Sequence, residues 1–571
     1  MDAWTPTYGA GLLAAAVLLP FVAMLLGLAL GGRWMQRVAF ALMPLQVAVS
    51  AAIAWFWLRG DTLVYLLGGW APPLGIALRA DGAAVAMLLA VAVVVCGIGL
   101  YARADFGTPP DARESRAAFG YWLLLLAVWG ALNLVFVSGD LFTLYVALEL
   151  LTFAGVPLVC LAGSGETLRA ALRYLLFALC GSVLYLLGVV LLYGGYGTVD
   201  IPLLAQAVRP EPIAWAALAL MTVGLLAKTA LFPLHIWLPP AHGGAPAAAS
   251  AVLSALVIKG SWFLVLRLWL DVMPGVATAS AAQLLAGLGA AAIVVGSVVA
   301  LRQQRLKLLV AYSTVAQIGY LFLLFPMAFD ADGVMAWGEL AQAAGLLQAI
   351  AHATAKAGMF MAAGLIYAAL GHDRIDDLAG AARAVPLAVL AFFVGGLALM
   401  GVLPSGAYLA KKLLLASADE SGQWWWTWVL TGGAAFTILI EGEEECGSVS
   451  LETFVKDNQK ALANTDVCLI SDTGMLGRGK PAITYGVRGL AYTQVTLHAS
   501  NQDLHSGLYG NAARNPNQVL ADIIASLRNP DGSVAIAGFY DDVKEIDADT
   551  AASWKTLGFD GAAYLKDVGL S

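Results

Sequence analysis

Charge is scarce in this chain. Only 12% of its 571 residues are Asp, Glu, Lys or Arg, while 60% are hydrophobic, a balance outside that of ordinary soluble domains. Histidine is rarer still, with six, and none is followed by Asp two positions later. The five cysteines (Cys96, Cys160, Cys180, Cys446, Cys468) form no CxxC pair and no metal-ligand spacing, which argues against a cysteine-built metal site. Three of them lie inside apolar runs, where a buried inert thiol is expected. No basic patch is present, so nucleic acid is not among the expected partners. No positive charge precedes the first apolar run between Met1 and Gly9, which argues against a cleaved signal peptide.

The little charge there is divides unevenly. Residues 1–440 hold 21 Lys+Arg and 20 Asp+Glu, a net of +1, whereas residues 441–571 hold 10 and 18, a net of −8. The overall −7 therefore belongs to the tail, and two materials meet near one point. At the join, Ile438, Leu439 and Ile440 run into Glu441, Glu443, Glu444 and Glu445.

What the first part has in abundance is long apolar runs. A spanning helix needs about 20 mostly apolar residues. Such runs lie near 10–31, 38–58, 82–102, 119–138, 140–162, 168–194, 212–232, 246–270, 279–300, 309–328, 338–370 and 384–417, with a shorter one near 424–440. Lipid tolerates only backbone whose hydrogen bonds are satisfied internally, so an all-α polytopic bundle of about 12–13 helices is expected. Arg33, Arg37, Arg103, Arg113, Arg116, Arg169, Arg173, Arg302, Arg305, Lys307, Arg374 and Arg383 follow odd-numbered runs. The alternate loops hold mainly Asp140, Asp200, Asp330, Asp332, Asp419 and Glu420, with Arg209 as an exception. This asymmetry puts the N-terminus outside the cell membrane and the tail in the cytoplasm.

Several ionisable residues sit within the runs, where each costs roughly 2.5–3.5 kcal/mol even on the mildest scale. Glu149, Lys228, Lys259 and Lys356 lie too deep for easy escape to an interface, and His352 and Lys411 fall within runs eleven and twelve. Lys412 can snorkel, and His235 and His242, beside Pro233, Pro239 and Pro240, can serve as loop caps. Pro233 follows Lys228 by five residues and Pro404 precedes Lys411 by seven, so each lysine adjoins a helix break. Broken helices in two inverted repeats meeting at mid-membrane would produce this pattern.

"DLFTLYVALELLTF", "AKTALFPLHIWLPPAHGGAPAAASAVLSALVIKG", "HATAKAGMF" and "LGGWAPPLGIALRADG" resemble the antiporter-type proton-pumping subunits of respiratory complex I. They are most similar to the D-type component of the multisubunit sodium/proton antiporters. The resemblance covers about residues 1–437. It implies that Glu149 and Lys228 are a glutamate–lysine pair, Lys259 a central relay lysine, His352 and Lys356 a polar step on a broken eleventh helix, and Lys411 the terminal residue on a broken twelfth. Burial disfavours a lysine's charge and a nearby carboxylate favours it, so moving the carboxylate switches the lysine between holding and passing a proton. Such a relay needs no metal or organic cofactor. The implied partners are sister membrane subunits and the bilayer, with protons as cargo and Na+ as the candidate exchanged cation.

The tail changes period. "RGLAYTQVTLHAS" alternates, with Thr493, Val495 and Leu497 on one face, as a half-buried strand does. "NPNQVLADIIASLRNPDG" spaces Val519, Ile523 and Leu527 four apart and ends at Pro530 and Gly532, as an amphipathic helix does. A small soluble α/β fragment over 438–571 is expected. "ILIEGEEECGS", "VCLISDTGML", "ITYGVRGLAYTQVTL", "NQDLHSGLYG" and "GFYDDV" resemble, in order, the two-metal exopeptidases that include carnosine dipeptidase and glutamate carboxypeptidase. That resemblance implies a buried strand at Ile438–Ile440, Glu444 as general base, Glu445 and Asp472 as metal ligands, and His505 as a substrate contact from a lid domain that dimerises. The family's H-x-D motif, its bridging aspartate and a later histidine are absent from this chain, so zinc or manganese would bind weakly and no hydrolysis is expected.

The leading expectation is a proton/cation-translocating membrane subunit, 1–437, cut at its end and joined to a partial peptidase, 438–571. A membrane-tethered hydrolase fragment is the alternative from another class. The third is a join created by gene modelling or assembly.

Overall fold

The computed structural model describes residues 4–435, apart from 61, 109–114, 331, 337 and 379, and in the tail residues 455, 456, 459, 494–556, 558, 560–567 and 569. Its packing divides the chain into two units, Met1–Phe454 and Val455–Ser571.

The first unit is a helical bundle. It begins with α1 (Gly11–Leu30) and α2 (Trp34–Arg59), then a hairpin of β1 (Leu63–Leu66) and β2 (Ala77–Ala80) paired antiparallel. There follow α3 (Gly82–Asp105), α4 (Arg116–Val137), α5 (Leu141–Cys160), α6 (Gly165–Tyr196), the short α7 (Ile201–Ala207), α8 (Pro212–Thr229) and α9 (Leu238–Gly244). Next come α10 (Ala247–Val252), α11 (Ile258–Leu266), α12 (Ala279–Leu301), α13 (Leu306–Phe322) and α14 (Glu339–Leu370). The unit continues through α15 (Ala381–Ala384), α16 (Pro386–Met400), α17 (Gly406–Glu420) and α18 (Trp425–Ala435).

The few polar residues are placed where helices start. Asp81, Asp140, Ser164, Asp200, Thr278 and Ser405 each accept a hydrogen bond from a backbone N–H two or three residues into the helix that follows, satisfying a donor that apolar surroundings would leave bare. Close helix approach is made by glycine. A Cβ on Gly224 of α8 would fall 2.3 Å from the carbonyl oxygen of Gly181 on α6, so only hydrogen fits. Trp122, Trp129, Trp237 and Trp262 fill the interior.

Among the described residues eleven helical segments are long and apolar enough to cross a membrane, fewer than the 12–13 expected. The difference lies in the last runs. Run twelve is split into α16 and α17, 15 residues each, because Gly401 turns left-handed (φ 86°) ahead of Pro404. Run thirteen is described as 11 helical residues. The eleventh helix, expected to be broken, runs without interruption from Glu339 to Leu370, since neither proline nor an inserted turn interrupts it. The irregularity lies in run eight, where α10 and α11 are joined by a π turn (Leu253–Val257) and a second π turn (Arg267–Val272) follows. The thiols also differ from expectation. Cys96 and Cys160 are half-buried and Cys180 is exposed, because an apolar stretch in a bundle of this kind faces lipid as readily as the interior.

In the second unit Pro516–Ser526 forms the expected amphipathic helix, with Asn515 capping it and Val519, Ile523 and Leu527 half-buried. Shorter helices span Ser506–Tyr509, Ala548–Thr556 and Gly561–Asp567. The expected strand is not formed where it is described. Residues 494–500 are irregular, with Val495 and Leu497 exposed, and alternation alone supplies no ladder partner. Ile438–Ile440, Cys446 and Cys468 lie outside the described residues.

Candidate functional site: a row of buried lysines

The row starts where α8 stops. Ala230 adopts a left-handed backbone (φ 61°), Pro233 follows, and Lys228 is left in the last turn, where the end of a helix carries partial negative charge. Its ammonium donates to Thr152 Oγ1 at 2.8 Å and stands 3.6 Å from Glu149 Oε1. Glu149 and Thr152 are three residues apart on α5 and so share a face. At 3.6 Å the carboxylate attracts the ammonium without a hydrogen bond to lock it. A small cavity lined by Thr152, Tyr174, Lys228 and Ser261 adjoins the pair.

From α8 the polar contacts pass to run eight. Thr229 Oγ1 donates to Ser261 Oγ at 3.0 Å. Lys259 is 1% exposed, and its Nζ donates to the Ser254 carbonyl at 2.6 Å, inside the π turn. The wider turn gives the side chain room to reach a carbonyl five residues back. Ser254 Oγ is 3.0 Å from Thr314 Oγ1 of α13.

On α14, Gln348, His352 and Lys356 recur every four residues on one fully buried face. Lys356 Nζ donates to Ser313 Oγ at 2.5 Å and to the Val310 carbonyl at 3.0 Å. Neither ring nitrogen of His352 has a hydrogen-bond partner among the described residues. Gln348 donates to Gln317 (3.3 Å), and Gln317 donates to the Leu399 carbonyl (3.4 Å). Lys411 reaches back across the break in run twelve to the Met400 carbonyl at 2.9 Å and lies over the Tyr320 ring at 4.6 Å. Lys228 and Lys411 thus share an environment. Lys228 sits in the last turn of the first half of one broken helix, and the Lys411 ammonium rests at the carbonyl end of the first half of the other.

The six membrane residues singled out from the sequence therefore fall on elements joined by these contacts. Lys412 is exposed, His235 is half-buried in the break, and His242 lies within α9 and is fully buried, so it caps no loop. The sequence reading missed the neutral partners Thr152, Ser254, Ser261, Ser313, Thr314 and Gln317. The signal available was spacing: Glu149 with Thr152, and Ser313 with Gln317, each lie within one helical turn.

A family model for the membrane part of NADH:quinone oxidoreductases and Mrp antiporters matches residues 138–437, over half of the chain. The chain belongs to this family. It is 33% identical to the N-type subunit of the NADH-quinone oxidoreductase of Desulforudis audaxviator over 394 residues, 68% of this chain and 76% of that protein. It is 29% identical to the D-type component of the Na(+)/H(+) antiporter of Bacillus subtilis over 364 residues, 62% of this chain and 70% of that protein. Among solved structures, the Mrp complex from Dietzia sp. DQ12-45-1b superposes with a TM-score of 0.68 at 26% identity, covering 76% of this chain and 78% of that one. A second family model, a peptidase dimerisation domain, matches residues 485–560. The chain is thus an integral multi-pass membrane protein with a peptidase-type dimerisation segment in its tail.

Of the peptidase-like residues, Glu444, Glu445 and Asp472 lie outside the described residues. His505 is exposed, and its Nδ1 accepts from the Gly507 N–H at 3.0 Å, capping the short helix that follows. No group of three or more His, Cys, Asp or Glu suited to a metal occurs among the described residues.

Proposed function

We propose that the membrane unit translocates protons, in exchange for a monovalent cation such as Na+, as one of several sister membrane subunits in an antiporter or quinone-oxidoreductase-like complex. Glu149, Lys228, Lys259, His352, Lys356 and Lys411 carry the proton in turn, with no metal or organic cofactor, and two inverted repeats supply the two broken helices. The observation that carries this reading is the Lys228–Glu149 pair at 3.6 Å, set at a helix break and continued by buried lysines whose contacts are mostly neutral oxygens. A lysine held by carbonyl and hydroxyl oxygens keeps or gives up its proton according to small movements of those groups. The relatives' names, one from an antiporter and one from an oxidoreductase, support both the ion cargo and the sister subunits. Replacing Lys228 with Ala in the assembled complex and following ΔpH-linked transport in vesicles tests the reading; unchanged transport would sink it.

The division at about 437/438 and a cytoplasmic tail on the inner face of the cell membrane belong to the same proposal. The tail pairs with a second copy and does not hydrolyse peptides. The match to a dimerisation domain supports the pairing, and the missing H-x-D motif speaks against catalysis. Full-length protein supplied with zinc or manganese should leave a dipeptide panel intact. Turnover that vanishes in Glu444→Gln would restore the hydrolase alternative.

A further inference from the structure

Helices α1, α2 and α4 carry no member of the lysine row, yet they meet at a buried polar cluster. Pro20 lies inside α1 and has no N–H to give the carbonyl four residues back, that of Ala16. Amides from two neighbouring helices take the place of that donor. Gln46 Nε2 of α2 donates to the Ala16 carbonyl at 2.8 Å, and Asn133 Nδ2 of α4 donates to it at 2.7 Å. Gly130, one turn before Asn133, lets α4 come close, since a Cβ there would fall 2.7 Å from the Phe21 ring. Ser50 is one turn beyond Gln46 on the same face of α2, and helical side chains lean back toward the preceding turn. Gln46, Ser50 and Asn133 are all at most 1% exposed. Ala16 lies five residues into α1 and Asn133 four before the end of α4, so the cluster stands about 6–8 Å inside the bundle. Both helix ends belong to the side bearing the hairpin: the Thr7 N–H donates to the Val64 carbonyl of β1, and Leu78 of β2 pairs with Ser138.

A staple for one stray carbonyl needs only N–H groups. Here Gln46 Oε1, Asn133 Oδ1 and Ser50 Oγ also stand buried, with no hydrogen-bond partner among the described residues. A buried helical serine ordinarily turns its hydroxyl back to the carbonyl one turn earlier, and Ser50 does not. Unpaired oxygens so deeply buried are costly as structure and call for a ligand that oxygen attracts. An amide turns about its last bond without moving its helix, which brings the oxygens of Gln46 and Asn133 to where their nitrogens stand, beside the Ala16 carbonyl. We propose that Ala16, Gln46, Ser50 and Asn133 form a binding site for a small monovalent cation such as Na+, near the hairpin end and separate from the lysine row. Hard cations take oxygen ligands, and a set without a carboxylate suits one charge and not two. The site gives the exchanged cation a place of its own; its role rests on the exchange reading above, while its binding does not.

The test measures equilibrium binding of radioactive Na+ to the purified, assembled complex, and the KM for Na+ in ΔpH-linked transport by vesicles. Ser50→Ala removes one oxygen, and Gln46→Leu and Asn133→Leu each remove an amide with little change of volume. Each should weaken Na+ binding and raise the KM about tenfold or more, the worth of one lost contact to a charged group, with the maximal rate at saturating Na+ kept. Lys228→Ala should stop transport and leave Na+ binding as in wild type. If Lys228→Ala is inactive while all three variants bind Na+ with wild-type affinity, the oxygens hold water only, so the site is wrong and the relay stands. If the complex moves no Na+, or Lys228→Ala transports normally, the exchange reading falls and binding alone decides the site: weaker binding in Ser50→Ala upholds it, and unchanged binding overturns it. Should both leucine variants fail to assemble, Ser50→Ala decides in the same way. Its failure to assemble as well would overturn the site, since the cluster would then be structural.

Discussion

Replacing Gly224 with Ala adds one methyl group that has nowhere to go. Its Cβ would stand 2.3 Å from the Gly181 carbonyl oxygen, 3.0 Å from the Tyr185 nitrogen and 3.2 Å from the Leu184 Cβ, whereas ordinary contact begins at 3.4 Å. Two of these neighbours are backbone, so the helices rather than a side chain must yield, by about 1 Å. Overpacking of this kind costs about 1–3 kcal/mol. The shift falls one turn from Lys228, whose ammonium is only 3.6 Å from Glu149, so it is expected to disturb that pair. A displacement of about 1 Å at a reacting centre can cost roughly 100-fold in rate. Gly224→Ala should therefore lower the thermal midpoint of the complex and reduce vesicle transport far more than its chemistry suggests. Gly181→Ala, with its Cβ 2.5 Å from the Gly224 carbonyl oxygen, should do the same. Wild-type stability and transport in Gly224→Ala would refute the claim that this glycine contact sets the lysine–glutamate distance.

Thr152→Val keeps the shape of the side chain but removes the hydroxyl that receives Lys228 at 2.8 Å; hydrogen bonds to charged groups are worth about 1.5–3 kcal/mol, so transport in vesicles should fall about tenfold or more. At the start of α3, burial alone would raise the Asp81 carboxyl above its ordinary value, but the paired Arg267 guanidinium outweighs burial and holds it below 3.8. Stability from this pair is thus present above pH 3.8 and lost as acid takes the pH lower, so Asp81→Asn should lower the unfolding midpoint at neutral pH and flatten its acid limb. A cysteine introduced at Pro530 should react only with reagent on the cytoplasmic side; labelling from outside alone would reverse the assigned orientation.

Much of the bundle was legible because long apolar runs in lipid have few alternatives to helix, and α1–α6 follow their runs closely. Breaks at Pro233 and Pro404 were legible for the same local reason, a missing donor. The two π turns in run eight were not, since an inserted residue leaves composition unchanged and shows only as a shift in hydrogen bonding. An unbroken α14 was misjudged because its break was inferred from resemblance and not from a residue that would cause one. Charged members of the row stood out against apolar surroundings. Thr152, Ser254 and Gln317 did not, because neutral polar residues are common in such helices and only packing shows which ones face a lysine. In the tail, a four-residue repeat was enough for the helix at Pro516–Ser526, while a strand needs a partner that local alternation cannot name.

The central claim is that Lys228 and Glu149 hold and release the transported proton together. Its most direct test is ΔpH-linked transport in vesicles carrying the complete complex, with Lys228→Ala and Glu149→Ala each compared with wild type at equal, verified assembly. Loss of transport in both variants is the expected result. Wild-type rates in either, with the complex intact, would contradict the account.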